Sequence, residues 1–557
     1  PHDEEGRYVL NDSKRIMFAA LGSVLILFAW NEFFMPKKEK PAPAAAVVQG
    51  ATGPSGAAAA APATPAPPPV AAVAPSTPEE TVVLETPEFR ATFTSWGGAL
   101  KSLKLKEETY RKRGKGEVPD EPIELVHVRE GEPWPLSVLP SAELGGGSDP
   151  GTDPLVRAPM RITAKDDRSV TFEGRLGGVD VRKSYKVGTK PYQIDVDLAV
   201  GGGDKAGTLA ILYPAYQAPD APTAGFFSGG EVFESVIPVC RAGDKTERFD
   251  GKDALKVLPG PPRWLGLDQS YFVSALMPQS GEGSCYFAKL PTAGESLAGL
   301  RIPVDKAARA TFELYAGPKQ IGLLRAYGRD LETAIDYGPV SNYFAFFARI
   351  LLWVMQKFYS VAHNWGAAII LLTLLVKALL YPLTVKSMMS MQEMKKLQPK
   401  VDALKAKYGD DKEKMNQEVM KLYQEHKVNP LGGCLPLLLQ MPVWLALYAT
   451  LQTSVELYRQ PFLWVKDLTA YDPFYILPLA MGVSSFVMQK ISPQPADNAQ
   501  AKMLLYFMPA FFTFIMLKLP AGLTLYIFVN NLLSIAQQQW IMRKDRKATA
   551  AAAAAGK

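Results

Sequence analysis

The sequence predicts a two-part protein, in which membrane α-helices are joined to a soluble β-rich domain. Three observations predict it. The chain of 557 residues is 48% hydrophobic, yet its long apolar segments are concentrated in the last third. The stretch before them carries short alternating runs punctuated by Gly, Pro and Asp, the pattern of half-buried strands. Between that stretch and an apolar N-terminal segment lies a Pro- and Ala-rich tract that cannot build a core. The length allows two or three domains.

In chain order, Ile16 to Phe34 is apolar and follows Lys14 and Arg15. No small-x-small site closes it, since Trp30 to Phe34 stand there, so residues 1–36 read as an uncleaved membrane anchor rather than a signal peptide. Residues 37–78 read as a semi-extended linker. Residues 79–335 read as a β-sandwich, with alternating runs at 169–176, 192–200, 207–216, 270–278 and 310–317. Joined by a linker and without evident chemistry, this domain is expected to be largely dispensable for insertion. Cys240 and Cys285 lie in it. They pair if the domain is outside the cytoplasm, or stay two buried thiols; sequence does not give their distance. Residues 342–359 carry Asn342, Arg349 and Gln356 every seven positions, a narrow polar stripe that suits a helix at the membrane surface. The alternative is a core helix of the β domain.

Residues 360–542 hold five spans: Trp365–Thr384, Leu431–Thr453, Pro473–Gln489, Met503–Leu519 and Ala521–Ile541. With the anchor there are six. Section 385–428 holds ten Lys, the next loop on that side has Lys490 and Lys502, and the tail 543–557 is basic. The opposite loops carry only Arg459, Lys466 and Lys518. The first side is therefore cytoplasmic, with both termini inside and the β domain outside. Within 385–428, Met391, Met394, Leu397, Val401 and Leu404 keep helical steps, as do Met415, Val419, Leu422 and His426 after a turn. This predicts a cytoplasmic helical hairpin with an apolar seam. Met388, Met389 and Met420 remain outside the seam as an adaptable surface for apolar substrate.

One charge stands inside the spans. Lys377 shares a helix face with Thr373, Tyr381 and Thr384, and no other apolar segment of the C-terminal half offers an acid to pair with it. Snorkelling is the plain alternative, but the end of the span is ~10 Å away at helical rise. The last span carries Thr524, Asn530, Asn531, Ser534, Gln537 and Gln538 towards one side, and Gln440 lies in mid-span of another. Interhelical hydrogen bonds account for one or two such groups. A whole stripe plus an unpaired Lys predicts a hydrated groove open to the cytoplasm. Its candidate residues are Lys377, Thr373, Tyr381, Gln440, Asn530, Asn531, Ser534 and Gln538. The lack of an acidic partner argues against a proton relay.

Other chemistry finds no support. A net charge of +6 makes no case for nucleic acid. The three Cys and four His show no metal-ligand spacing, and there is no HExxH, GxSxG or phosphate-binding glycine loop. No catalytic residue, metal or cofactor is predicted.

Long motifs carry a resemblance. They are NWG at 364–366, YPLT at 381–384, LQPK at 397–400, VNPLGGCLPLLLQMPVWLALY at 428–448, DPFYILPLAMG at 472–482, FMPAFFTF at 507–514 and LPAGLTLYIFVNNLLSIAQQQ at 519–539. In the β region TSWGGALKSL at 94–103, YFVSALMP at 271–278, LYAGPK at 314–319 and DYG at 336–338 join them. With these motifs the chain resembles the YidC branch of the YidC/Oxa/Alb membrane-protein insertases, of the Gram-negative type. The resemblance implies a non-enzymatic insertase and chaperone of the bacterial inner membrane. It implies a five-helix core, an N-terminal anchor and a periplasmic super-sandwich similar to sugar-mutarotase folds, with no catalysis carried over. It also implies a groove open to cytoplasm and lipid and closed to the periplasm. The implied partners are nascent membrane proteins, the Sec translocon, the ribosome, the signal-recognition-particle receptor and membrane lipid. The groove charge of the family is usually Arg; Lys377 keeps the sign but not the fork that grips a carboxylate twice. Two other classes compete. A small-anion transporter would show an inverted repeat, and none is found. An envelope-assembly or glycan-binding protein would use its spans only as an anchor.

Overall fold

The computed structural model describes residues 78–112, 120–129, 132–147, 149–203, 205–216, 236–279, 283–290, 295–337, 345–408, 411–426, 428, 435–491 and 499–555. The predicted anchor, the predicted linker up to residue 77 and Asn342 lie outside them. Residues 400–425 form one body, and the other described residues form a second.

Among the described residues the β domain has nineteen strands in four antiparallel sheets. A three-stranded sheet joins β1 (Thr81–Glu85), β2 (Phe89–Thr94) and β3 (Ala99–Leu105), and a small pair joins β4 (Arg111–Lys112) and β5 (Glu121–Pro122). The others are β6 (Ser137–Pro140), β7 (Arg161–Lys165), β8 (Ser169–Leu176), β9 (Val179–Val187), β10 (Gln193–Gly201), β11 (Gly207–Tyr216), β12 (Ile237–Ala242) and β13 (Lys245–Arg248). They continue with β14 (Leu255–Val257), β15 (Pro262–Asp268), β16 (Phe272–Pro278), β17 (Ser284–Lys289), β18 (Glu295–Val304) and β19 (Ala308–Pro318). Nine strands run in the order β13-β12-β15-β16-β19-β10-β9-β8-β7, and five in the order β14-β17-β18-β11-β6. Alternation sets the faces: in β9 every second residue from Val179 to Val187 is buried. Inward residues of both large sheets share one hydrophobic core, the arrangement of a sandwich. Cys240 of β12 and Cys285 of β17 form a disulfide that ties the two sheets together, which settles the alternative left open by sequence.

Buried charge organises the family-like motifs of this domain. Lys183 is fully enclosed and donates to the carbonyls of Gly97 (2.6 Å), Gly98 (3.2 Å) and Leu136 (2.7 Å). Burial pushes its amine down to about 7. Lys319, from LYAGPK, pairs with Asp268, which also accepts a 2.6 Å bond from Arg248; Arg248 lies 3.4 Å from Asp336 of DYG.

The domain is not closed on itself. Val455 and Tyr458, from the helical part of the chain, are buried in its core. These two side chains join the domain to the helical part of the chain.

The helices are α1 (Ile321–Tyr327), α2 (Ala345–Ala362), α3 (Trp365–Lys396), α4 (Gln398–Tyr408), α5 (Lys412–Glu425), α6 (Leu435–Thr453), α7 (Ile476–Ile491), α8 (Ala499–Met516) and α9 (Ala521–Ala555). Helix α2 buries Ala348, Leu352 and Met355 among side chains of α3 and α6 and leaves Phe346, Phe347, Ile350 and Trp353 exposed. Asn364 caps α3 by accepting from the Ala367 amide at 3.0 Å, and Trp365 stacks on Tyr359 at 4.6 Å. A Cβ on Gly366 would lie 2.1 Å from the Phe462 ring. Cap, stack and close approach together explain NWG.

Helix α3 does not end at Thr384. It runs unbroken to Lys396, so the first twelve residues of the predicted hairpin section continue the long helix. Nothing in 385–396 breaks a helix, and Leu397-Gln398-Pro399 supplies the first interruption. The body at 400–425 holds most of α4 and the whole of α5, with Val401 and Tyr423 buried and Lys414 over the Tyr408 ring at 5.7 Å. Among the described residues α3 alone is long and apolar enough to cross a membrane by length and composition; Ile476–Ile491 and Tyr506–Met516 are apolar but shorter.

Candidate substrate groove

Three helices, α7, α3 and α6, pack around α9. Small residues allow the approach. A Cβ on Gly482 of α7 would lie 2.1 Å from the Thr513 hydroxyl of α8, so only glycine fits there.

Four polar residues of α9 bond a neighbouring helix. Lys377 of α3 donates to the Ser534 hydroxyl at 2.6 Å, and Ser534 donates in turn to the Asn530 carbonyl at 2.8 Å. The side-chain amides of Asn530 and Gln440 of α6 exchange two bonds, at 2.7 and 3.2 Å. Asn531 donates to Ser485 at 2.8 Å and to Ser484 at 3.2 Å, both on α7. Gln537 donates to Thr384 of α3 at 3.3 Å. Asn530, Asn531, Ser534 and Gln538 are buried. Interhelical bonding thus accounts for more of the stripe than its sequence pattern predicts. An amide in an apolar bundle has no water to turn to, so it recruits a polar partner on the facing helix.

Lys377 differs from the rest. It is only partly buried, and among the described residues it forms no ion pair. It lines an open cavity of about 360 Å³ between α3 and α9, with Tyr381, Gln537 and Trp540 and the apolar Ala378 and Leu533. Tyr381 is 41% exposed. Thr373, one turn before Lys377, is buried and bonds back to the Ile369 carbonyl at 2.7 Å. The structure therefore brings Lys377, Ser534, Asn530 and Gln440 into one connected chain and sets Tyr381 beside the cation. It leaves Thr373 turned to its own helix. Ser484, Ser485 and Trp540 were not singled out in the sequence. Two adjacent serines inside the apolar α7 are the signal that could have found the first two.

The predicted hairpin methionines differ in exposure. Met389 on α3 is 55% exposed, and Met388 and Met420 are partly buried.

The comparisons with known proteins decide the family. Residues 357–548 match the family described as 60Kd inner membrane protein, and residues 81–354 match the YidC periplasmic domain. The protein named membrane protein insertase YidC of Anaeromyxobacter dehalogenans (strain 2CP-C) is 58% identical over 545 residues, covering 97% of this chain and 99% of that one. The chain belongs to the YidC family of membrane protein insertases. The protein of the same name from Syntrophus aciditrophicus (strain SB) is 36% identical over 478 residues, 84% of this chain and 85% of its own. Among solved structures, an active YidC insertase with its first transmembrane domain resolved is 20% identical, with a TM-score of 0.36 over 83% of this chain and 92% of that one. A galactose mutarotase related enzyme from Lactobacillus acidophilus is 10% identical, with a TM-score of 0.30 over 42% of this chain and 97% of its own. The family places the chain in the inner membrane, with the β domain in the periplasm and nascent membrane proteins as its substrates.

Proposed function

We propose that this insertase receives the polar tail of a nascent hydrophobic segment in the groove beside Lys377, while the segment itself passes into lipid. The observation that carries the reading is Lys377, on the wall of an open cavity in an apolar bundle and, among the described residues, held by a serine with no ion pair. A neutral hydroxyl is a weak partner that a carboxylate can replace with a charge-assisted bond. In a partly wet cavity at an effective dielectric near 20, a pair at ~4 Å is worth about 4 kcal/mol before desolvation. After that cost the net is ~1–2 kcal/mol, roughly tenfold in a rate. The remaining drive is apolar transfer of the segment. Lys377, Tyr381 and Gln537 bring polar groups to a lining that is otherwise apolar, which lowers the cost of carrying a short tail past hydrocarbon.

In this reading the chain crosses the membrane six times, the N-terminal anchor included, with both termini in the cytoplasm. Helix α2 lies at the membrane surface, and its exposed Phe346, Ile350 and Trp353 support that position. The groove opens to cytoplasm and lipid. Met388, Met389 and Met420 meet the apolar segment first. The ribosome, the signal-recognition-particle receptor and the Sec translocon are the partners that deliver it or receive it. No catalytic step is involved.

The test is insertion of a matched pair of single-span substrates, one with Asp and one with Asn in the tail. Lys377→Ala is expected to slow the Asp substrate about tenfold and the Asn substrate little. Lys377→Arg is expected to be tolerated, and Lys377→Glu to be worse than Ala for the Asp substrate. Equal loss for both substrates in Lys377→Ala would refute electrostatic reception.

A further inference from the structure

The cavity beside Lys377 continues outwards along α9. Its lining residues Leu533, Gln537 and Trp540 advance by steps of four and three, so they share one face of the helix. Lys544 stands four residues further on the same face, and its ammonium lies 5.6 Å from the centre of the Trp540 ring. Trp540 is 55% exposed, and Lys544 is exposed as well. Tyr381, one turn beyond Lys377 on α3, stands on the same cavity wall and is also exposed. Helices α3 and α9 run in the same direction at this contact, since Lys377 meets Ser534 and, further along both, Thr384 meets Gln537. Trp540 and Tyr381 therefore mark one end of the cavity, the end nearer the basic tail 543–557. In the topology proposed above that is the cytoplasmic end.

A tryptophan near the end of an apolar helix ordinarily serves as a headgroup anchor, with a neighbouring lysine on lipid phosphate. Two features favour a role in the groove instead. The indole is part of the wall of the cavity that also holds Lys377. Its face is occupied by an ammonium, an attraction that draws the Lys544 side chain back along the helix towards the cavity. Trp540 lies six residues beyond Ser534, the seat of the Lys377 ammonium, which is ~9 Å of helix. An extended chain covers about 3.4 Å per residue, so two charges on a tail span that gap when they are about three positions apart.

We propose that Lys544, seated on Trp540, is a second cationic station at the mouth of the groove, and that together with Lys377 it selects tails bearing two acidic residues about three positions apart. The proposal rests on the reading of Lys377 as the receptor of the tail. Lys544 is exposed to solvent, so it acts first on the approaching tail and its pull is screened by salt. Trp540 acts by holding the ammonium in place and is a positioning residue.

Two single-span substrates of equal charge separate this role from a lipid anchor. One has two Asp residues three positions apart in its tail, and the other has the two Asp adjacent. Both carry the same charges to hydrate and respond alike to a membrane potential. Insertion rates are measured with the full chain in lipid vesicles at low salt. In the parent chain the spaced pair is expected to insert about threefold faster than the adjacent pair or better, and this ratio is expected to fall towards one at about 0.5 M salt. Lys544→Gln is expected to bring the ratio to about one at low salt, and Trp540→Ala to lower it by about half or more. Lys544→Arg and Trp540→Phe, which keep the cation and the ring, are expected to retain it.

A ratio near one in the parent chain overturns the inference, and so does a ratio that survives Lys544→Gln. Equal slowing of both substrates by Lys544→Gln, confined to vesicles that contain anionic lipid, would reveal a headgroup anchor and overturn it equally. The Lys544 variants alter an exposed side chain and decide the matter if Trp540→Ala does not fold. The groove reading is tested by the Asp and Asn substrates in Lys377→Ala, and this inference by the spacing ratio in Lys544→Gln, so either can fail alone.

Discussion

Lys377 and Ser534 meet at 2.6 Å across α3 and α9, and Ser534 gives its own hydrogen to the Asn530 carbonyl. The hydroxyl is thereby oriented as an acceptor, and the lysine is parked on a neutral partner at the cavity wall. A permanent carboxylate at this position would occupy the cation. Ser534→Asp is therefore expected to reduce insertion of the Asp-tailed substrate to the level of Lys377→Ala while sparing the Asn-tailed one. Insertion assays of the matched pair in both variants check this.

Gly366 lies under the Phe462 ring, where an added methyl would sit 2.1 Å away. Gly366→Ala is expected to destabilise the bundle by about 1–3 kcal/mol, the usual range for overpacking. Phe462→Ala in the same chain should recover part of that loss by removing the clash. Thermal unfolding of the single and double variants in one detergent provides the comparison.

The Cys240–Cys285 bond joins strands of opposite sheets across 45 residues of sequence. Replacing both with Ser is expected to destabilise the β domain by about 2–4 kcal/mol. The full chain melted with and without reductant should show the same loss, and the Ser variant should be indifferent to reductant.

Lys183 carries a pH signature. Burial lowers its amine to about 7 in the folded domain, against an ordinary value of 10.5. Between those values the unfolded chain binds a proton that the folded chain lacks, so stability rises with pH through that window and levels off above it. The slope is at most about 1.4 kcal/mol per pH unit. Unfolding of the β domain, followed from pH 7 to 10, should show this rise in the parent chain and lose that component in Lys183→Met. Lys183→Met is also expected to be less stable throughout, because three buried carbonyls lose their donor.

What the sequence made legible follows from periodicity. The runs at 169–176 and 207–216 are β8 and β11 residue for residue, because short apolar-rich runs between turn residues mark strands even where, as at Val170–Phe172 and Ile211–Ala215, both faces are buried. Lys377, Asn530, Asn531 and Ser534 stood out because polar groups are expensive in an apolar helix. Their partners did not stand out: Ser484, Ser485 and Thr384 are ordinary residues until helices are laid side by side. The pairing of Cys240 with Cys285 likewise depends on the facing of two sheets. The joint between the β domain and the helical part was hidden for the same reason. Val455 and Tyr458 show no period, and their burial is created by a domain encoded some two hundred residues earlier. The end of α3 was placed at Thr384 because hydropathy changes there, but helices end at caps and prolines, and the backbone continues to Lys396.

The central claim is that the polar tail of an incoming segment enters beside Lys377. Photo-crosslinking from single positions of the intact insertase to the tail of an arrested single-span substrate tests it most directly. A crosslinker at Tyr381 or Gln537, on the cavity wall, is expected to capture the tail, and one at Leu479, on the exposed face of α7, is expected to miss it. Capture from Leu479 with none from Tyr381 or Gln537 would contradict the account.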